Sequence, residues 1–349
     1  MGDQVGAITK LQAAVFRGVD EGIRVEDRDR PSPKANEVLV RVHACGICGS
    51  DLGILEGRHP SKPPVILGHE LAGEVEETGA AVRSVGVGDH VVVDPNVTCG
   101  RCRNCRDGRK NMCENMIEIG ITRDGAFTRY TVAPENFVYR VSPDLEWKSA
   151  ALIEPLSCVV HGFKKTRVKP YETAVVYGAG PMGLLWISML KHVGTRRVIS
   201  VDISDNRRRI AERLGADVAI NPLQENPIAR VEKETNGIGA DVGVEVIGRP
   251  ETVENTIRSL GPGGRAVIMG VTRKELSTPI GPFDVMAKEI EIYGSNANLD
   301  GFVPAIKLIE SGVIPVKEIV SHEISVTDIQ SAIALCKSGE GVKILIIPT

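Results

Sequence analysis

"VVYGAGPMGLL", Val175–Leu185, decides the fold. An apolar β-type run enters Gly178-x-Gly180-x-x-Gly183, and an apolar stretch of helical spacing follows. Glycine makes up 37 of 349 residues, so the triplet alone carries little weight. Its context carries more. The next strand-like run, "RVISVD", ends in Asp202, nineteen residues after Gly183, where a dinucleotide-binding βαβ unit places the acid that hydrogen-bonds the adenosine ribose. In such a unit Gly178 permits the tight turn, Gly180 lets the backbone approach a pyrophosphate and Gly183 lets helix pack on strand. The helix N-terminus favours the phosphate charge. A carboxylate at Asp202 accepts two ribose hydroxyls but repels a 2′-phosphate, so NAD is preferred to NADP; nearby Arg207 either stacks on adenine or offsets the repulsion.

Outward from this motif, apolar strands alternate with helical stretches: "AVVYG", "RVISVD", "ADVAI", "VGVEVIG", "RAVIMG" and "EIEIYGS" read as a parallel sheet of six strands. "RPETVENTIRSLGPGG" reads as a helix ended by a Gly-rich turn. Residues 11–150 differ, with strand-like alternation and Gly/Pro punctuation in "VLVRVHACG", "LAGEVEETG", "DHVVVDP" and "GAFTRYTVAP". The fold class is therefore α/β. No low-complexity segment or internal repeat interrupts it.

Net charge is −3, from 42 basic and 45 acidic residues, which gives no electrostatic case for nucleic acid or an anionic membrane. The local run "RCRNCRDGRK" is basic but has no interleaved aromatic, and reads as a solvated lobe. "MGDQVGAITKLQAAVFRG" has no basic segment followed by an apolar run, and no stretch is apolar for long enough to span a bilayer. A cytoplasmic protein with reduced thiols is expected.

Four of the eight cysteines fall between Cys99 and Cys113, spaced C-x2-C-x2-C-x7-C. A disulfide cluster suits a small secreted domain, whereas a 37.5 kDa chain can bury a core without staples. Cys99, Cys102, Cys105 and Cys113 instead suit a closed tetrahedral zinc shell, with Zn–S bonds of about 2.3 Å and no open position. Iron–sulfur ligation competes, but the bacterial run continues x3-C-P, and here seven residues precede Cys113 and Glu114 follows it. "CGICGSD" at 45–51 and "GHE" at 68–70 add a thiolate, an imidazole and a carboxylate, which suit a second zinc that keeps an exchangeable position.

The ordered set "CGICGSD", "GHE", the four-cysteine lobe, "EPLSC" at 154–158 and "GAGPMG" resembles the zinc-dependent medium-chain dehydrogenases, within them the sorbitol or polyol dehydrogenase branch, from about Leu11 to Thr349. The resemblance implies a GroES-like β-barrel catalytic domain at 1–157 with its zinc lobe at 95–115 and a doubly wound Rossmann domain at 158–294. It also implies a segment 295–349 that returns to the catalytic domain, and assembly as a homodimer or homotetramer. It implies two zincs per chain and NAD. Only Cys48-Gly49-Ser50-Asp51 fits the family's Cys-x-Ser/Thr-Asp pattern, so Cys48 becomes the ligand and Cys45 core packing. His69 and Glu70 join Cys48, and Glu154 binds the catalytic zinc directly or through its water. Asp51 would orient His69, and Ser50 would take the proton of a substrate hydroxyl. Cofactor contacts are implied for Gly178, Gly180, Pro181, Met182, Gly183, Asp202, Arg207, Met269, Gly270, Val271 and Asn296.

Three departures stand out. Many members finish the proton relay with a histidine three residues after the Ser/Thr, and this chain has Gly53, which leaves the terminal base unnamed. Polyol-branch members place Arg and Tyr after the sixth strand and Tyr after "CGSD"; here Ala297, Asn298 and Ile54 stand there, so the pocket is less cationic. Asn296, Asn298, Thr122, Arg123 and Glu118 are candidate polar contacts, each equally readable as solvated surface. The implied activity is oxidation of a secondary alcohol of a polyol, sugar or cyclitol. A threonine-like amino alcohol is the second substrate class. A non-catalytic dinucleotide- or zinc-binding relative is the reading from another class, and the presence of Cys48, His69, Glu70 and Glu154 weighs against it. His90 reads as barrel-strand surface or core rather than catalytic, and His43, His59, His161, His192 and His322 receive no function, although His59, in the loop-like "GRHPSKPP" near the "CGSD" segment, is a candidate for touching substrate.

Overall fold

The structure, a computed structural model, describes residues 10–348. The limits drawn at Met1 and Thr349 lie outside them. The chain divides into two compact units, one running to Glu154 and resuming at Val320, the other Pro155–Ile319.

The first unit opens with strands β1 (Lys10–Gly18), β2 (Gly22–Asp29), β3 (Glu37–Gly46), β4 (Val65–Ile66) and β5 (Glu70–Thr78). Strands β6 (His90–Val93), β7 (Asn96–Val97), β8 (Ile117–Glu118), β9 (Tyr130–Pro134) and β10 (Val138–Arg140) follow. One sheet has the order β2-β1-β4; a larger one runs β10-β6-β5-β3, with β9 also on β3. Strand β3, "EVLVRVHACG", is buried along most of its length, and its β-branched residues Val38, Val40 and Val42 pack with Leu71, Val75, Val91 and Phe127 in the principal core. Helix α1 (Gly49–Leu55) follows β3 directly. The short α2 (Arg103–Arg106) belongs to the cysteine lobe, and α3 (Trp147–Ala150) lays Trp147 between His43 and His90, ring centroids 4.3 and 4.2 Å away. His90 is thus a strand residue packed on an aromatic face.

The second unit contains α4 (Ile153–Thr166) from Pro155 on, then β11 (Thr173–Tyr177), α5 (Pro181–His192), β12 (Arg197–Val201), α6 (Asp205–Arg213) and β13 (Val218–Ile220). After α7 (Pro227–Glu234) come β14 (Ala240–Glu245), α8 (Pro250–Arg258), β15 (Leu260–Ile268), α9 (Pro282–Ala287), β16 (Glu291–Gly294) and α10 (Phe302–Glu310). The sheet is parallel, in the order β13-β12-β11-β14-β15-β16, the doubly wound arrangement whose ligands lie beyond the carboxyl ends of the strands at the β11/β14 reversal. All six expected strands are present. Every residue of β11 is buried, and so is each from Gly183 to Leu190 of α5, which explains an apolar helix without a polar face.

Two expectations need correction. The "GPGG" after α8 is no separate turn: β15 begins at Leu260, and those residues form an irregularity in its pairing with β14 between Ala240↔Leu260 and Val242↔Arg265. The segment 295–319 stays with the second unit rather than returning at 295. Gly301 sits so tightly on the Ser157 backbone that a Cβ would collide with it, and α10 buries Phe302, Ala305, Ile306 and Ile309. The return comes at β17 (Val320–Ser325), followed by α11 (Ile329–Ser338) and β18 (Lys343–Ile347). Strand β18 pairs antiparallel with the end of β3, Cys45↔Ile346 and Gly46↔Leu345, and so brings the C-terminal strand to the "CGICGSD" segment.

Candidate active site

Cys48 and the adjacent pair His69 and Glu70 come from two separate segments and meet, each residue offering one ligand atom, all within 4.8 Å of one another. Topology does this. Gly46, the last residue of β3, pairs with Glu70, the first of β5, so the turns on either side of that pair converge. Gly68 has φ +96° and a Cβ there would strike the Phe127 ring, so the bend that aims His69 requires glycine. Cys48 is the N-cap of α1, and its N–H donates to Asp51 Oδ2 at 2.8 Å. The other oxygen of Asp51 faces His69 Nδ1 at 3.6 Å, which turns the second ring nitrogen toward the cluster. Asp51 Oδ1 and His69 Nδ1 are both buried, with no closer partner. Burial alone would push the His69 pKa down, but Asp51 and Cys48 outweigh it and hold it well above the ordinary imidazole value. A buried thiol, imidazole and carboxylate that favour positive charge among them fit a divalent cation.

Ser50 Oγ lies 3.7 Å from Cys48 Sγ. Cys45 is fully buried in the core, and burial drives its thiol pKa well up, so it remains a neutral packing group. Glu154, expected with the three, is not among the atoms brought together. It is 7% exposed; burial pushes its carboxyl up to about 8, with His69 opposing and Glu70 reinforcing the shift. Ile54 is 1% exposed and lies in the core rather than in a pocket. Arg123 is engaged by Glu37 at 2.8 Å, and Thr122 and Glu118 bond to each other in a turn.

The lobe gathers Cys99, Cys102, Cys105 and Cys113 into a second set. Backbone N–H groups already point at sulfur: Cys102 N at Cys99 Sγ, 3.4 Å, and Cys99 N at Cys113 Sγ, 3.3 Å. Backbone donors from Arg101 and Cys102 lower the Cys99 thiol to about 6, while burial pushes Cys105 up to about 12. None of the eight cysteines is disulfide-bonded.

In the second unit Gly178 has φ +106°, and a Cβ on Gly183 would collide with the Gly178 carbonyl oxygen. A Cβ on Gly180 would meet nothing within 4 Å, an open cradle at the N-cap of α5 with Pro181 and Met182 in its first turn. Asp202 Oδ2 accepts from Ala179 N and Oδ1 from Ser204 N, both at 2.8 Å, so the carboxylate is fixed beside the glycine loop. The Arg207 N–H donates to Ser204 Oγ at 3.4 Å. Met269 and Gly270 donate to the Glu245 carbonyl at 2.9 and 3.1 Å; Val271 and Asn296 are exposed. The loop fits a dinucleotide.

The family described as "Alcohol dehydrogenase GroES-like domain" matches residues 34–143, and "Zinc-binding dehydrogenase" matches 181–311. D-xylulose reductase A of Aspergillus oryzae is 36% identical over 340 residues, 93% of this chain and 94% of its own. The chain belongs to the zinc-binding alcohol dehydrogenases. Sorbitol dehydrogenase of Bacillus subtilis is 34% identical over 97% of each chain. A solved zinc-binding dehydrogenase of Sinorhizobium meliloti, bound to NADP, superposes with a TM-score of 0.93 at 35% identity, covering 97% of this chain and 99% of that one.

Two residues of this zinc-binding dehydrogenase escaped the sequence reading. Lys343, 2% exposed in β18, forms an ion pair with Glu70 and donates to Ile47 O at 3.0 Å. Burial lowers its pKa, but Glu70 outweighs that and keeps the ammonium charged. A lysine inside the apolar "GVKILIIP" was the available signal. Glu245 is fully buried at the end of β14; its Oε1 accepts from Ile247 N and Gly248 N at 2.8 Å and from Thr252 Oγ1 at 2.7 Å. Side chain and carbonyl together tie the loop after β14 to Met269 and Gly270.

Proposed function

We propose that this dehydrogenase oxidises a secondary alcohol of a polyol, sugar or cyclitol to the ketone, reversibly and with NAD preferred. Cys48, His69 and Glu70 would hold the catalytic zinc, with Glu154 beside it, and Cys99, Cys102, Cys105 and Cys113 the structural one. The convergence of thiolate, imidazole and carboxylate within 4.8 Å carries this reading. A zinc in that set supplies Lewis acidity that makes a hydroxyl easier to deprotonate. Ser50, adjoining the cluster, takes that proton. Asp51 holds His69 in one orientation through Nδ1. Gly180 and the α5 N-terminus receive the pyrophosphate, Asp202 the adenosine ribose. D-xylulose reductase and sorbitol dehydrogenase among the relatives support the polyol class over amino alcohols. A homodimer or homotetramer, and the cytoplasm, complete the proposal; among the described residues no helix is long and apolar enough to cross a membrane.

The test is cofactor reduction across polyols, sugars, cyclitols and amino alcohols, with NAD and NADP in parallel. Turnover of a polyol with NAD, and a swing toward NADP in Asp202→Ser, are expected. Silence from every polyol with two zincs bound would sink the substrate class, and equal use of both cofactors by the wild type would sink the Asp202 argument.

A further inference from the structure

Gly53 leaves the proton relay without its usual end, yet the space beside it is filled. Helix α1 spans Gly49–Leu55, so Ser50 and Gly53, three residues apart, share a face. A Cβ on Gly53 would stand 3.4 Å from the Cβ of His59. The backbone builds this approach: Gly53 O accepts from Arg58 N at 2.7 Å and from His59 N at 3.1 Å, folding the chain back onto the end of α1. Gly53 is buried and His59 half-buried. His59 Nδ1 lies 3.1 Å from Pro60 O. A carbonyl only accepts, so Nδ1 is the donating nitrogen, and in the neutral ring Nε2 then keeps its lone pair.

We propose that His59 Nε2 is the terminal proton acceptor in alcohol oxidation, supplied by a neighbouring loop in place of the side chain that Gly53 lacks. This rests on the reading in which Ser50 takes the hydroxyl proton. The carbinol C–H bond breaks and its electron pair leaves as hydride to the nicotinamide of NAD, which is reduced as the alcohol is oxidised. The O–H bond breaks, and its proton passes through Ser50 and water to form an N–H bond at Nε2. The imidazolium then releases it to solvent. Imidazole suits the task because its charge changes between roughly pH 5 and 8.

The experiment compares wild type, H59N and the double variant G53H/H59N, each full length and zinc-loaded, oxidising xylitol with NAD between pH 6 and pH 10. H59N should lose roughly tenfold or more in kcat near pH 7, less than the roughly 10²–10⁴-fold of a base acting directly on the substrate, because the proton arrives through Ser50 and water. The loss should close as pH rises or as imidazole is added, because solvent base then takes the proton. G53H/H59N should recover most of the activity, with zinc content and melting unchanged throughout. A loss equal at every pH and untouched by imidazole or G53H would assign His59 a structural role only, and an unchanged profile would remove it from the relay. A second readout needs no turnover: in protein labelled with 15N-histidine, the resonances that vanish in H59N should report an unprotonated Nε2 at pH 8. A protonated Nε2 there overturns the proposal even if xylitol proves no substrate, which would instead count against the polyol reading.

Discussion

Both cysteine-bearing clusters lie in the first unit, and they are built in opposite ways. The lobe draws four thiols from one short stretch, at the surface, with backbone N–H groups aimed at sulfur. The cluster at Cys48 draws three different ligand types from two segments on either side of the Gly46↔Glu70 pair. Around it lie the buried ionisable side chains of Asp51, Glu154 and Lys343. A closed all-sulfur shell would have no position for a substrate, so under the proposed reading the lobe holds structure. A mixed site amid ionisable groups can bind, polarise and pass protons. On the proposed assignment, what separates the two sites is an open ligand position set among buried ionisable groups.

The largest expected effect tests that division. Cys48→Ala should abolish turnover and remove one of two zincs while melting stays near wild type; retained turnover would refute the ligand assignment. Cys102→Ala should remove the other zinc and lower melting by roughly 5–10 °C, as a loss of a few kcal/mol does in a unit of this size, while freshly purified enzyme still turns over. Zinc loss from the lobe with unchanged melting would end its structural reading.

Next in size is Lys343→Met. Removing one partner of a buried pair leaves Glu70 charged and unpaired, and such changes cost about 3–5 kcal/mol. The penalty should be largest in chelator-stripped protein and smaller with zinc bound, because the metal then faces the Glu70 carboxylate. Denaturant titrations of both forms measure it. An equal penalty in the two would mean that Lys343 and the metal do not act on the same carboxylate.

The same contrast explains what was legible in the sequence. The lobe is local, so spacing alone exposed it, as it exposed the glycine loop and Asp202. The inner parallel strands were legible because strands buried on both faces read as near-unbroken apolar runs, whereas the edge strand β16 is half-exposed and reads from its alternation. Cys48, His69 and Glu70 were found as ligand types, but their convergence depends on β3–β5 pairing that no local pattern contains. Lys343 was missed because its partner lies 273 residues away. The return of the chain was placed at 295 instead of 320 because α10 has an ordinary amphipathic pattern that does not say which unit it covers. His59 was set aside because its relation to Gly53 is made by a backbone fold, not by spacing.

The one effect expected to vanish at low pH follows from Glu154, and its sign is opposite to that of most carboxylates. Burial raises its pKa in the folded protein to about 8, above the 4.5 of an exposed glutamate. Between those values the native state holds a proton that the unfolded chain has released. Stability from this group is therefore complete below about pH 4.5 and lost as pH rises toward about 8. In chelator-stripped protein Glu154→Gln, which cannot release that proton, should match wild type near pH 4.5 and melt increasingly higher than wild type as pH rises to 8. With zinc bound the difference should shrink, because a cation beside the carboxylate favours its charged form. If stripped wild type and Glu154→Gln fall in parallel across that range, the pH dependence belongs to other groups, and the buried cluster loses the carboxylate that most distinguishes it from the lobe.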